Sequence, residues 1–147
     1  VRLSLTTPRG ALVDVDVEEV TAPGVLGEFG VLPGHVPLMS ALKPGVLVYR
    51  GKGPDARSGV VAIGPGLLQV APPTQGDTAH DRVLVLVDQA VSASGVDRAD
   101  AQKDLAEADK ELAGWKGEID GAYRALVVRR DWAQARVDAA DRSAPAH

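Results

Sequence analysis

The stretch Gly27-Glu28-Phe29-Gly30-Val31-Leu32-Pro33-Gly34-His35-Val36-Pro37-Leu38-Met39-Ser40-Ala41-Leu42-Lys43-Pro44-Gly45-Val46 packs four glycines and three prolines into twenty positions. Prolines fix φ and glycines supply turns, so the spacing predicts turns at Pro23-Gly24, Pro33-Gly34 and Lys43-Pro44-Gly45, with a well-fixed loop between them. On either side the chain reads as strands. In Val13-Asp14-Val15-Asp16-Val17-Glu18 the valines fall on one face and the carboxylates on the other, the period of two of a half-buried strand. Val1, Leu3 and Leu5 alternate with Arg2 and Ser4 in the same way. Val46 to Tyr49, Val60 to Ile63, Leu67 to Val70 and Val83 to Val87 are short apolar runs bounded by Gly, Pro or Asp. Several short strands at this spacing predict a sandwich or a flattened barrel. The acidic faces of the first strands read as solvated and as a device that blunts an edge.

Composition divides the chain. Nine of ten prolines and twelve of sixteen glycines precede Val91, whereas Val96 to Arg142 has no proline and is rich in alanine. The boundary falls at a short linker, Ser92-Ala93-Ser94-Gly95, which gives a domain over 1–91, a linker over 92–95 and a helical region over 96–147, with a disordered tail near 143–147. Ala101, Leu105, Ala108 and Leu112 set a narrow apolar seam on a helix from about Asp97, its N-cap, to Ala113. Gly114, Gly117 and Gly121 interrupt it, and a second seam runs through Ala122, Leu126, Ala133, Val137 and Ala140. Two helices joined by a glycine-spaced turn make an antiparallel hairpin. Six acids against three bases over 97–113, and three acids against five bases over 121–142, favour that pairing. Large apolar anchors in the hairpin are few, so it is expected to dock on a partner surface and to be able to leave it.

Several function classes drop out. Net charge is −4 and no run of like charge exceeds two residues, so nucleic acid finds no electrostatic footprint. The chain has no cysteine, which excludes disulfides and thiolate metal sites, and no stretch is long and apolar enough to span a membrane. Aromatic residues are 3% of the chain, too few for carbohydrate stacking. Gly27 to Gly30 lacks the lysine and the following helix of a phosphate loop. His35 has neither a nucleophile in a known motif nor an orienting partner, so no catalytic residues are assigned and no metal site is expected.

Gly27-Glu28-Phe29-Gly30-Val31-Leu32-Pro33-Gly34-His35-Val36-Pro37-Leu38, followed by Leu42-Lys43-Pro44-Gly45, closely resembles the signature of the epsilon subunit of bacterial F-type ATP synthases. Ile63-Gly64-Pro65-Gly66-Leu67-Leu68-Gln69-Val70 is similar to a later strand motif of that family, and the alanine-rich hairpin follows in its place. The resemblance implies an N-terminal ten-stranded β-sandwich followed by a C-terminal antiparallel two-helix hairpin. It implies a non-catalytic rotor subunit of a proton-translocating synthase, peripheral on the cytoplasmic face of the bacterial inner membrane. The implied partners are the gamma subunit, the c-subunit ring and the catalytic alpha and beta subunits. Glu28, Phe29, Gly30, Val31, Leu32 and His35 would meet the c ring and the foot of gamma, although Phe29 and Leu32 read equally well as core. Arg124, Arg129, Arg130 and Arg136 would meet beta subunits when the hairpin extends and inhibits hydrolysis; a solvated face accounts for any one of them equally well.

Some members of that family bind ATP on the folded hairpin. Val96 and Asp97 match the start of that motif and Arg136 a later arginine, but Asp100 stands where another arginine would face phosphate, and Trp132 replaces a second one. A carboxylate there repels phosphate, so no cofactor is expected. Gly64-Pro65-Gly66 also departs from the family's Gly-Gly-aromatic pattern, and Ala71 to Asp81 reads as an inserted exposed loop. The alternative from another class is a free β-sandwich scaffold with a dimerising hairpin.

Overall fold

The computed structural model describes residues 1–34, 37–51, 58–71 and 81–143. Ten strands precede two helices among these residues. They are β1 Arg2–Thr7, β2 Gly10–Asp16, β3 Glu19–Gly24, β4 Gly27–Val31, β5 Leu38–Leu42, β6 Gly45–Arg50, β7 Gly59–Ile63, β8 Gly66–Ala71, β9 Arg82–Val87 and β10 Ala90–Ser92, then α1 Arg98–Ala113 and α2 Gly121–Ser143. The strands run in the order β10-β7-β6-β3-β5-β8-β9-β1-β2, with β4 paired to β3 off that path. The sheet folds over between β3 and β5, which share only the Gly24–Leu42 register pair. Two layers result, and all pairings are antiparallel except β1 with β9.

The core between the layers follows from the alternation. Leu3, Leu5, Val20, Leu47, Ile63, Leu68, Val83 and Val85 are all fully buried, with Val13 and Val17 beside them. Their neighbours point outward: Asp14 and Asp16 on the edge strand β2 pair with Arg2 at 2.9 and 3.6 Å, and Glu18 and Glu19 pair with Arg50. These bonds hold both guanidinium pKa values above the ordinary range, chiefly through the hydrogen bonds to Asp14 and to Glu19.

The glycine- and proline-rich stretch is more regular than a loop. Gly27–Val31 is β4 and Leu38–Leu42 is β5, which leaves only 32–37 between them. Pro23-Gly24 ends β3 rather than turning; the tight turn is Val25-Leu26, closed by Gly27 at φ +132°. A side chain is strained at that φ, so glycine is what permits the reversal. The turn at Pro33-Gly34 stands, with Gly34 at φ +83°.

Ser92 belongs to β10, and Ala93–Gly95 forms a 3-10 turn with Ala93 buried, so the segment read as a linker is itself structured. Asp97 caps α1, its Oδ1 accepting from the Asp100 amide at 3.1 Å. Asp120 does the same for α2 through Tyr123. The α1 seam is as read: Ala101 and Ala108 are buried, Leu105 and Leu112 half-buried. On α2, Leu126, Ala133 and Val137 are buried and Ala140 half-buried, but Ala122 is exposed. The interhelical pairs Arg136–Asp104 and Arg130–Asp109 fix the alignment, and by that alignment Ala122 lies beyond the last turn of α1. The inserted loop and the tail fall on 72–80 and 144–147, outside the described residues.

Candidate interaction surfaces

Three surfaces stand out. The first is the β3–β4 hairpin and the turn after it. Glu28 and Gly30 are exposed, and Leu32 is 53% exposed. Phe29 is half-buried against the core, its ring lying where a Cβ on Gly24 would come within 2.9 Å. Val31 is 1% exposed and belongs to the core. The predicted contact set therefore splits by the pleat of β4: alternate residues leave the surface, so Val31 offers nothing to a partner in this conformation. His35 lies outside the described residues. The turn before it is tied down by Asp81, whose Oδ2 accepts from the Gly34 amide at 2.7 Å.

The second surface was not read from the sequence. On the outer side of the β5-β8-β9-β1-β2 layer, Met39, Leu67 and Leu86 are 66%, 42% and 57% exposed. Leu67 and Leu86 face each other in register, with Ala41 beside Leu67 and Thr6 beside Leu86. An apolar row of this kind on a sheet face is an interaction surface in waiting. The signal was in the strands: β8 and β9 are apolar at consecutive positions where a half-buried strand would alternate.

The third is the docked hairpin. Among the described residues it is α2 that carries the packing on the sandwich, across the outer side of β6 and β7. Ala135, Ala139 and Trp132 meet Val46, Ala62 and Ala93, flanked by Val48, Val60 and Val91. Trp132, Ala135 and Ala139 recur at helical spacing, a second stripe that went unread because alanine alone carries little pattern. The other helix, α1, is held to α2 by ion pairs: Arg98 with Asp141, Arg129 with Glu107 and Glu111 at 3.6 and 3.7 Å, Arg130 with Asp109 at 2.9 Å, and Arg136 with Asp104 at 2.9 Å. The hydrogen bond to Asp109 raises the Arg130 pKa against partial burial, so the cation persists at any physiological pH. Three of the four arginines assigned to beta subunits are thus engaged within the hairpin here, while Arg124 is exposed in the first turn of α2. Of the ATP-motif residues, Asp97 serves as the cap, Arg136 is bonded to Asp104, and Val96 is half-buried after the 3-10 turn.

Among the described residues no group of side chains is arranged to hold a metal, and no helix is long and apolar enough to cross a membrane. Residues 1–93 match the family model for the ATP synthase Delta/Epsilon chain, β-sandwich domain. The ATP synthase epsilon chain of Citrifermentans bemidjiense is 36% identical over 143 residues, covering 97% of this chain and 95% of that one. The epsilon chain of Magnetococcus marinus is 39% identical over 139 residues, covering 95% and 93%. The chain belongs to the ATP synthase epsilon-chain family. Members of the epsilon-chain family are non-catalytic subunits. A chain in the Euglena gracilis mitochondrial ATP synthase, in an assembly of OSCP, F1 and c ring, superposes with a TM-score of 0.70 at 25% identity, over 94% of this epsilon-family chain and 79% of that one. A chain of the Tetrahymena thermophila mitochondrial ATP synthase central stalk and c ring shares the fold, with a TM-score of 0.57 at 18% identity.

Proposed function

We propose that the chain is a rotor subunit of an F-type, proton-translocating ATP synthase, peripheral on the cytoplasmic face of the bacterial inner membrane. In this reading the sandwich couples the gamma subunit and the c ring to the catalytic head of alpha and beta subunits, and the hairpin inhibits ATP hydrolysis when it leaves the sandwich. The observation that carries the reading is the contrast between the two outer faces of the sandwich. One is covered by α2 through alanines and a single tryptophan; the other, with Met39, Leu67 and Leu86, is left open. The open face suits a lasting apolar contact with gamma. The covered face suits a contact that can be released, since an alanine buries only about one methyl group, worth roughly 0.8 kcal/mol. Glu28 and Leu32 at the rim would meet the polar loops of the ring, with Phe29 and Gly30 shaping the strand beneath them.

Arg124 is already exposed to meet acidic segments of beta subunits, and Arg129, Arg130 and Arg136 would become available once α1 and α2 part. Regulatory ATP is not expected here, because Asp100 stands where the family resemblance would put an arginine facing phosphate. The test is removal of the chain after Ser94 in the assembled synthase. ATP hydrolysis is expected to rise while assembly is kept; unchanged hydrolysis would remove the inhibitory role.

A further inference from the structure

One contact joins both helices and the sandwich at a single point. Arg136 is the least exposed of the ion-paired hairpin arginines, at 18% of its side chain against 55% for Arg98, 48% for Arg129 and 32% for Arg130. Its Nη2 donates to Oδ2 of Asp104 on α1 at 2.9 Å. Its guanidinium carbon lies 5.4 Å from the ring centre of Trp132, and Trp132 packs on the cluster of Val46, Ala62, Ala93, Ala135 and Ala139. Nε is buried without a hydrogen-bond partner. We propose that Asp104, Arg136 and Trp132 form the catch that keeps the hairpin closed and docked. This rests on the reading above that the hairpin is able to leave the sandwich.

The other interhelical pairs are more exposed, and an exposed pair contributes between nothing and about 1 kcal/mol. The Arg136 pair is shielded on one side by an indole and on the other by the helix interface, so its attraction is screened less. Removing Asp104 would leave a guanidinium mostly buried and without its anion, which costs more than the pair itself supplies. Arginine suits the place because its planar, pre-organised group can lie against the indole while its N–H groups donate, a geometry that a lysine ammonium does not reproduce. The unpartnered Nε tells in the opposite direction: it penalises the closed state and so keeps the catch releasable.

Hydrogen exchange on the isolated full-length chain tests this, with no gamma subunit or catalytic head present, so its outcome is independent of whether the hairpin inhibits the synthase. In Asp104→Asn the α2 amides are expected to exchange about tenfold faster or more, while amides of β8 and β9 keep their wild-type rates. Arg136→Lys should move α2 the same way, and Glu111→Gln should stay within about twofold of wild type. Wild-type rates in Asp104→Asn would overturn the catch. Equal acceleration in Glu111→Gln would overturn its special place among the pairs.

Discussion

Replacing Ala135 by aspartate should release the hairpin while leaving the sandwich folded. Ala135 is 2% exposed and sits on α2 against the outer side of β6 and β7, in one cluster with Val46, Ala62, Ala93 and Ala139. What holds α2 there is modest. The alanine methyls are worth roughly 0.8 kcal/mol each, and a half-buried tryptophan adds about 2 kcal/mol. An aspartate at this position would face valines and alanines. An unpaired buried charge costs about 3–5 kcal/mol, as much as the whole contact supplies, so the undocked state becomes the major one. The chain has no cysteine, so two can be placed for dyes, Arg9→Cys on the sandwich and Ile119→Cys at the exposed tip of the hairpin. Energy transfer between them should fall in Ala135→Asp, with the urea midpoint of the sandwich unchanged. Unaltered transfer would refute the claim that this alanine stripe holds the hairpin in place.

Other outcomes follow from the sandwich. Gly66→Ala would drive a Cβ into the Leu86 carbonyl across the β8–β9 pair, backbone that has no room to give, and should lower stability by about 1–3 kcal/mol in urea denaturation. Asp81→Ala removes the acceptor for the Gly34 amide; that amide should exchange several-fold faster by NMR, an effect of about 1 kcal/mol, with global stability little changed. Leu86→Asp, at a residue 57% exposed, should leave stability within about 0.5 kcal/mol by urea denaturation yet weaken binding to the gamma subunit at least tenfold by calorimetry.

The sequence carried the elements that local rules govern. Leu3 and Leu5, Val13 and Val17 alternate into the core as read, Asp97 caps its helix, and opposite charges on the two helices meet as ion pairs. What escaped depends on distant pairing. Gly27 to Val31 forms a strand because β3 offers it a partner, and no residue within the stretch announces that; Val25 and Leu26 make the turn although neither favours turns, because Gly27 takes the positive φ. Once β4 exists, its pleat sends Val31 inward, which is why a contiguous motif did not yield a contiguous surface. The docking stripe of Trp132, Ala135 and Ala139 was hidden for a different reason: alanine fits a helix anywhere, so only the opposing valines of β6 and β7 show which alanines are buried.

In the proposed function the sandwich is a binding unit for the synthase rotor and the hairpin a brake on hydrolysis. Titrating the full-length chain into a catalytic head that contains gamma, while following the bound fraction and the rate of ATP hydrolysis together, tests both at once. Saturable binding is expected, with hydrolysis falling in step with occupancy. Binding without any fall would contradict the brake, and no binding would contradict the rotor assignment itself.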